Sequence, residues 1–212
     1  MPSPDPRQSQ RIAGPADRAL TSFDPAQDRL RQAQDDREAP EIVWSGRFIE
    51  AKRLGRWEFV SRTRGVGAAV ILAVDEGHVL LVEQYRVPIG ARCLELPAGL
   101  VGDEEEGEAA ASAAIRELEE ETGYRAERAV DLGRYYSSPG MSSEGFTLLR
   151  AEELTRVGAG GGVAGEEIEV HRVKLDELAG FVAGRREAGV AMDSKLLLLL
   201  GAGMLDGSSS RT

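Results

Sequence analysis

Three of the four glutamates between residues 117 and 121 have the spacing of a metal-binding site. Glu117 and Glu121 lie four residues apart, and Glu120 follows Glu117 by three residues. In a helix both spacings put side chains on one face, where like charges repel one another. A divalent cation relieves that repulsion, and carboxylate oxygens together with substrate phosphates suit Mg²⁺ or Mn²⁺. Glu-rich surface helices without a metal are also common, so the acids alone leave both interpretations open.

The segment that carries these acids is predicted to be one helix, from about residue 108 to 121, after a tight turn. It contains no Gly and no Pro, and the strong helix formers Ala, Leu, Glu and Arg dominate it. Gly123 follows where a helix end favours a residue that tolerates positive φ. Arg116 can pair with a neighbouring glutamate and hold that side chain in one rotamer.

The wider pattern resembles the complete signature of the Nudix hydrolases. It runs Gly102, five residues, Glu108, seven residues, Arg116-Glu117-Leu118, one residue, Glu120-Glu121, one residue, Gly123-Tyr124. Fixed spacing over 23 residues makes this a specific signal, unlike a lone glycine motif. The family's usual lead-in resembles residues 96–99, but counted from Gly99 the loop to Glu108 is three residues too long.

Composition excludes several other classes of protein. The net charge of −10 leaves no basic excess to neutralise nucleic-acid phosphates, so a nonspecific nucleic-acid binder is not expected. Cys93 is the only cysteine, which rules out an intrachain disulfide and fits a reducing cytoplasm. The longest apolar run, around residues 196–200, is too short to span a bilayer, and the N-terminus lacks a signal-peptide core. We therefore expect a soluble cytoplasmic protein.

The chain divides by composition into four segments. Residues 1–40 are rich in Asp, Arg, Gln, Ala and Pro, which predicts a disordered tail. Residues 41–64 carry short strand patterns with turns at Gly46 and Gly55, which predicts a small β meander. Residues 65–206 form the main domain, and residues 207–212 are expected to be a flexible tail.

The main domain mixes strands and helices without a regular βαβ period. Two apolar runs, 67–74 and 78–84, flank an Asp-Glu-Gly turn and predict a β-hairpin. Further predicted strands are 93–96, 129–132, 134–136, 144–150 and 168–173. One helix is predicted to start over residues 176–182, and residues 191–193 are predicted to cap a final helix that runs through residue 200. This order predicts an α+β fold, and the resemblance implies the Nudix α/β/α sandwich.

Segments outside the signature resemble the ADP-ribose and ADP-sugar pyrophosphatases of that family. The matching segments are residues 83–88, 95–99, 138–144, 166–170 and 192–195. Pro139 lies sixteen residues after Gly123, a spacing associated with this subgroup. The resemblance covers about residues 42–205 and implies hydrolysis of ADP-ribose to AMP and ribose 5-phosphate.

The resemblance also implies roles for individual residues. Glu117, Glu121 and the main-chain carbonyl of Ala98 would bind the metals, and Glu120 would support or share that coordination. Arg116 joins Glu120 in the catalytic group. Glu166 matches the loop glutamate proposed as general base, and a carboxylate in that role must reach the attacking water. Glu167 is its neighbouring rival.

Substrate contacts follow from the same resemblance. Arg86 would contact the phosphates or the terminal ribose. Trp57 matches a position that stacks on adenine, Phe48 would supply the opposite platform, and Arg62 would hold the nucleotide. Pro139 and Met141 belong to a loop that would also contact substrate. The subgroup's N-terminal strands cross to a second subunit, which implies a homodimer with the adenine site at its interface.

Two alternatives stay open from the sequence. The first alternative is that the substrate is another nucleoside diphosphate sugar, such as ADP-glucose or GDP-mannose, because the base-binding aromatics would stack on any purine. The second is a non-catalytic Nudix domain that senses a ligand. Such domains typically lack one or more signature carboxylates, whereas Glu117, Glu120 and Glu121 are all present here.

Overall fold

The computed structural model describes residues 39–63, 67–102, 109–162 and 166–205. The chain divides into two units, Met1–Pro40 and Glu41–Thr212, and every element described below belongs to the second. The tail predicted over residues 207–212 lies outside the described residues, as does all but the last two residues of the predicted tail 1–40. Glu108 and the turn before it also lie outside them.

The first three strands form a separate antiparallel sheet. They are β1 (Glu41–Ser45), β2 (Ile49–Leu54) and β3 (Trp57–Arg62), paired in that order. The predicted strands of the β meander are therefore confirmed. Several large apolar side chains of this sheet and its first turn are exposed, among them Ile42, Val43, Trp44, Phe48, Ile49 and Trp57.

The remaining strands form one mixed sheet. They are β4 (Gly67–Asp75), β5 (His78–Arg86), β6 (Ala91–Glu95), β7 (Ala98–Val101), β8 (Tyr124–Tyr136), β9 (Gly145–Arg156), β10 (Glu169–Lys174) and β11 (Ala191–Met192). Their order is β11-β6-β5-β4-β9-β8, with β7 also paired to β4 and β10 to β5. The pairs β4–β9 and β6–β11 are parallel and the others antiparallel.

Three α-helices lie in the described part of the chain. They are α1 (Ala110–Thr122), α2 (Leu178–Glu187) and α3 (Leu197–Leu205). The helix predicted over residues 108–121 is confirmed, although it starts later because Ala109 has an extended backbone. It ends as predicted, since Gly123 takes φ of 74° and its N–H donates to the Glu119 carbonyl at 2.9 Å.

The helices cover opposite faces of the sheet, because successive apolar residues of its central strands point to alternate faces and both faces are buried. On β4, Ala69 and Ile71 pack with Leu118 of α1, whereas Val70 packs on the other face with Val182 of α2. The same alternation occurs along β5 and β9. The result is the α/β/α arrangement predicted from the resemblance, in which, among the described helices, α1 covers one face.

Two strands of the structure, β7 and β11, differ from the prediction. Strand β7 was not predicted, because four residues after a proline are too short to show a period. Residues 191 and 192 form β11 rather than the start of the last helix. Asp193 instead caps a 3₁₀ turn, Ser194–Leu196, through a hydrogen bond from the Lys195 N–H at 2.7 Å.

Candidate active site

The acidic face of α1 lies against the start of β7. The Ala98 N–H donates to Glu121 Oε2 at 3.1 Å, and Glu121 is only 5% exposed. A Cβ placed on Gly99 would lie 2.0 Å from Glu117 Cδ, so the Glu117 side chain rests directly on that glycine. Two predicted metal ligands and the residue whose carbonyl was predicted to join them therefore meet at one place.

Glu121 is electrostatically costly in this position. Burial raises the pKa of its carboxyl to about 8, and repulsion from Glu117 and Glu166 adds to the increase. The Ala98 hydrogen bond and the charge of Arg86 act in the opposite direction without cancelling it. Clustered hard oxygen donors in such surroundings fit a divalent cation, which would hold the carboxylates ionised.

Arg116 links the third glutamate, Glu120, to Glu117. Its Nη1 lies 3.1 Å from Glu117 Oε1 and 3.2 Å from Glu120 Oε2. Arg116 and Glu120 line a shallow depression on the neighbouring face of α1, together with Glu119. The predicted pairing of Arg116 with a glutamate is thus seen, while metal coordination by Glu120 stays a prediction.

A cleft of about 770 Å³ opens in front of Glu117 and Glu121. The predicted site residues among its lining are Arg62, Arg86, Ala98, Glu117, Glu121 and Glu166. These positions come from β3, β5, β7, α1 and the segment before β10, so the fold collects them from distant parts of the chain. The cleft has room for a small phosphorylated ligand. Acidic side chains outnumber basic ones in its lining, so a bound divalent cation would be needed to balance the phosphates.

Both arginines of the cleft are held by acidic side chains. Arg86 donates two hydrogen bonds to Glu95, from Nε at 2.7 Å and from Nη2 at 2.6 Å. Glu95 is 3% exposed, so it fixes the guanidinium while part of Arg86 faces the cleft. Arg62 donates one hydrogen bond, from Nε, to the partly exposed Glu144.

Glu95 and Glu144 are site residues that sequence reasoning did not assign. Each lies in a segment that matched the subgroup, but neither position carries a role in that resemblance. A charged residue inside the predicted strand 93–96 was the available signal for Glu95, since acids are rarely buried unless paired. For Glu144 no local signal exists, because its partner lies 82 residues away.

The two candidate bases differ in position. Glu166 lines the cleft and interacts electrostatically with Glu121. Glu167, also exposed, does not belong to the described lining of the cleft. Position therefore favours Glu166 over its neighbour.

Four predicted substrate contacts lie outside the lining of the cleft in the described residues. Trp57, at the start of β3, is 49% exposed, and Phe48, in the turn before β2, is 64% exposed. Pro139 and Met141 are exposed in the loop between β8 and β9. That loop is tied to β3, because the Val60 N–H donates to the Met141 carbonyl at 2.9 Å.

A second group of possible ligands lies away from the cleft. One ligand atom each from Glu83, Glu169 and His171 falls within 4.8 Å of the others. Glu83 is fully buried and already accepts hydrogen bonds from Arg92 Nε at 2.7 Å and from Arg185 Nε at 2.9 Å. Two guanidinium groups occupy this carboxylate, so we interpret the group as a buried ion-pair cluster rather than a metal site.

Among the described residues, no helix is both long and apolar enough to cross a membrane.

Comparison with known proteins agrees with this geometry. A family model described as the NUDIX domain matches residues 63–191. An ADP-ribose pyrophosphatase of Bacillus subtilis (strain 168) is 32% identical over 164 residues, covering 74% of this chain and 87% of that protein. A GDP-mannose pyrophosphatase of Cronobacter sakazakii is 39% identical over 147 residues, covering 65% of this chain and 72% of its own.

A solved structure supports the fold. A protein described as an ADP compounds hydrolase superposes with a TM-score of 0.58 at 21% sequence identity. The match covers 81% of this chain and 95% of the other chain.

Proposed function

Because this chain belongs to the Nudix hydrolase family, we propose that it hydrolyses the pyrophosphate bond of ADP-ribose, giving AMP and ribose 5-phosphate. One observation carries the proposal. Glu117 and Glu121 meet the Ala98–Gly99 backbone at a cleft that Arg86 and Glu166 also line. The proposed metal ligands, the proposed phosphate-binding arginine and the candidate base therefore share one cleft.

Glu117, Glu121 and the Ala98 carbonyl are the proposed ligands of Mg²⁺, with Mn²⁺ as a substitute. When bound, the metal screens the anionic pyrophosphate and acidifies a water molecule. Glu120 supports Glu117 through the shared Arg116. Arg86, held by Glu95, and Arg62, held by Glu144, orient the phosphates and the nucleotide.

Glu166 is the proposed general base. Water attacks one phosphorus, the bridging P–O bond breaks, and the carboxylate of Glu166 accepts the proton that the water loses. A base in this role must lie within hydrogen-bond reach of the water, directly or through one further water. Among the two candidates, Glu166 is the one that lines the cleft.

The base and sugar of the substrate are the less constrained part of the proposal. The relatives include an ADP-ribose pyrophosphatase and a GDP-mannose pyrophosphatase, both of which cleave nucleoside diphosphate sugars by name. ADP-glucose and GDP-mannose therefore remain the alternative substrates. A non-catalytic ligand sensor is the other alternative, and the intact pair Glu117 and Glu121 argues against it.

We also propose that the protein is a cytoplasmic homodimer. Trp57 and Phe48 point to this arrangement, since they lie among the exposed apolar side chains of the three-stranded sheet and its first turn and do not line the described cleft of their own chain. Their predicted stacking on adenine would then require a cleft of the partner subunit. Exposed aromatic clusters are also typical of subunit interfaces.

The test is hydrolysis of a panel of ADP-ribose, ADP-glucose, GDP-mannose, NADH and FAD with Mg²⁺, with and without EDTA. We expect the highest kcat/KM for ADP-ribose, AMP and ribose 5-phosphate as products, and no turnover in EDTA. A preference for another sugar nucleotide would retain the catalytic residues and reject our assignment of the substrate. Tight binding without turnover of any compound would favour the sensor.

A further inference from the structure

A glycine strap, residues 160–162, is fastened to the last turn of α1. The Gly161 N–H donates to the Glu121 carbonyl at 2.8 Å, and the Gly162 N–H donates to the Glu120 carbonyl at 3.0 Å. The last carbonyl groups of a helix have no partner within the helix itself. The strap supplies two of these partners, and both belong to glutamates of the candidate site.

Gly160 lets the strap approach the helix this closely. Its φ is +72°, which side chains disfavour, and an added Cβ would lie 2.4 Å from the carbonyl carbon of Thr122. The same Cβ would lie 2.6 Å from the Glu121 carbonyl oxygen. Both are backbone atoms of α1, which cannot turn aside as the end of a side chain can. A larger residue would therefore lift the strap from the helix.

The other end of the strap contacts Glu166. A Cβ placed on Gly162 would lie 2.5 Å from Glu166 Oε2 and 2.9 Å from Glu166 Cβ. The Ile168 N–H reaches the Gly161 carbonyl at 3.4 Å, which ties the segment after Glu166 back to the strap. One short segment thus touches both the backbone of the metal-binding helix and the candidate base.

We propose that the glycine strap sets the position of Glu166 relative to Glu117 and Glu121, and that Gly160 is its principal positioning residue. This inference rests on the proposed function. The strap binds to the same helix that carries the proposed metal ligands. It therefore fixes the distance and orientation of Glu166 relative to Glu117 and Glu121. Misplacing a reacting group by about 1 Å can cost about 10²-fold in rate.

The experiment compares Gly160→Ala with the matched control Gly158→Ala. An added Cβ at Gly158 would meet no atom closer than 3.9 Å. We expect kcat for ADP-ribose to fall about 10²-fold in G160A, with little change in KM and in the Mg²⁺ concentration for half-maximal rate. G158A should keep the wild-type kcat, and a slow G158A would contradict the proposal.

A double variant separates positioning from a general structural defect. If Gly160 acts through Glu166, then G160A/E166Q should be no slower than E166Q alone. Losses that multiply would overturn the inference. Gly162→Ala provides a second route should G160A fail to fold. Its φ of +81° also disfavours a side chain, but the atom nearest to its added Cβ is Glu166 Oε2, at the end of a side chain, rather than the backbone of α1. In G162A we also expect a lower kcat with little change in KM. A wild-type kcat in this variant would contradict the proposal.

Amide hydrogen exchange tests the strap without turnover. The Gly161 and Gly162 amides should exchange slowly in the wild type and in G158A, and rapidly in G160A. Wild-type protection in G160A would show that the strap does not depend on Gly160. If the wild-type protein hydrolyses nothing in the panel, the proposed function fails. If it hydrolyses ADP-ribose and G160A matches G158A, the inference alone fails.

Discussion

At the scale of single residues, helical phase gives neighbouring glutamates different environments. Glu121 is buried against β7, and Glu117 packs on Gly99. Glu119, between them in sequence, points elsewhere and forms a two-bonded ion pair with Arg125 at 2.7 and 2.8 Å. Residues two apart in a helix do not share a face, so one helix carries both the proposed metal-binding pair and an ordinary surface acid.

The first prediction uses this internal contrast. Glu117→Gln and Glu121→Gln should each lower kcat by about 10³-fold, because a metal contributes several kcal/mol of charge stabilisation in the transition state. Substrate binding, measured by calorimetry in EDTA-free buffer, should persist. Glu119→Gln is the control and should keep the wild-type kcat. Full activity in both E117Q and E121Q would disprove the metal assignment.

Cys93 provides a second prediction at this scale. The side chain is 5% exposed at the base of the cleft, and burial raises the pKa of its thiol to about 12. The negative charge of Glu95 adds to the increase. Only the thiolate is nucleophilic, so the native protein should react very slowly with a disulfide reagent at pH 8 and rapidly in guanidinium chloride. Rapid labelling of the native protein would contradict this environment.

At the scale of elements, Glu83 connects three parts of the fold. It lies on β5, is fully buried, and pairs with Arg92 of β6 and Arg185 of α2. Burial alone would raise the pKa of its carboxyl, but the hydrogen bonds from the two arginines outweigh burial and the pKa lies below its ordinary value. Glu83 therefore stays ionised although it is buried, and its ion pairs with Arg92 and Arg185 hold α2 to the sheet.

The third prediction is that Glu83→Gln destabilises the protein by roughly 2 kcal/mol at pH 7, since it leaves two arginines without their buried partner. The partial access of both arginines to water limits the loss. Glu169→Gln is the control, because Glu169 is more than half exposed beside the same cluster. Denaturant unfolding measures both, and equal stability of E83Q and wild type would contradict the role.

The pH dependence of this difference has a defined sign. A carboxyl whose pKa is lower in the folded state contributes stability above its unfolded pKa, here about 4.5. That contribution disappears as the pH falls through the folded pKa. The stability gap between wild type and E83Q should therefore be largest at neutral pH and shrink below about pH 4.5. A gap that widens in acid would refute the assignment.

At the scale of the whole molecule, the cleft and the proposed adenine platforms are separated in a single chain. The cleft lies mainly on the mixed sheet, and β3 contributes Arg62 to its lining. Trp57 at the start of β3 and Phe48 in the turn before β2 are exposed and do not belong to its described lining. A homodimer would join one chain's platform to the other chain's carboxylates. Its mass should be about twice the 22.8 kDa of one chain, measured by light scattering.

The fourth prediction tests shared sites by mixing inactive variants. In a mixed dimer of Trp57→Ala and Glu121→Gln, one site would combine an intact platform with intact carboxylates. Random assembly makes half of the dimers mixed, so about a quarter of the wild-type activity should return on co-expression. The control pair E117Q and E121Q should recover nothing, because both changes fall on the same α1. No recovery from W57A with E121Q would place each site within one chain.

Local patterns in the sequence predicted the parts of this protein that depend on near neighbours. The spacing of Glu117 and Glu121, the stop at Gly123 and the hairpin of β4 and β5 are all decided within a few residues. The resemblance to the Nudix family rests on the same short range of fixed spacing. These features can be predicted from the sequence because helix periodicity and turn chemistry depend on residues close together in the chain.

Contacts between distant segments were decided only by the tertiary structure. The pairing of Arg62 with Glu144, the strand β7 and the docking of the glycine strap on α1 leave no periodic signal in the sequence. A glycine run in a sequence indicates only a loop and does not show what the loop contacts. The helix end that receives its N–H groups lies about forty residues away in the chain, so only the assembled fold defines that contact.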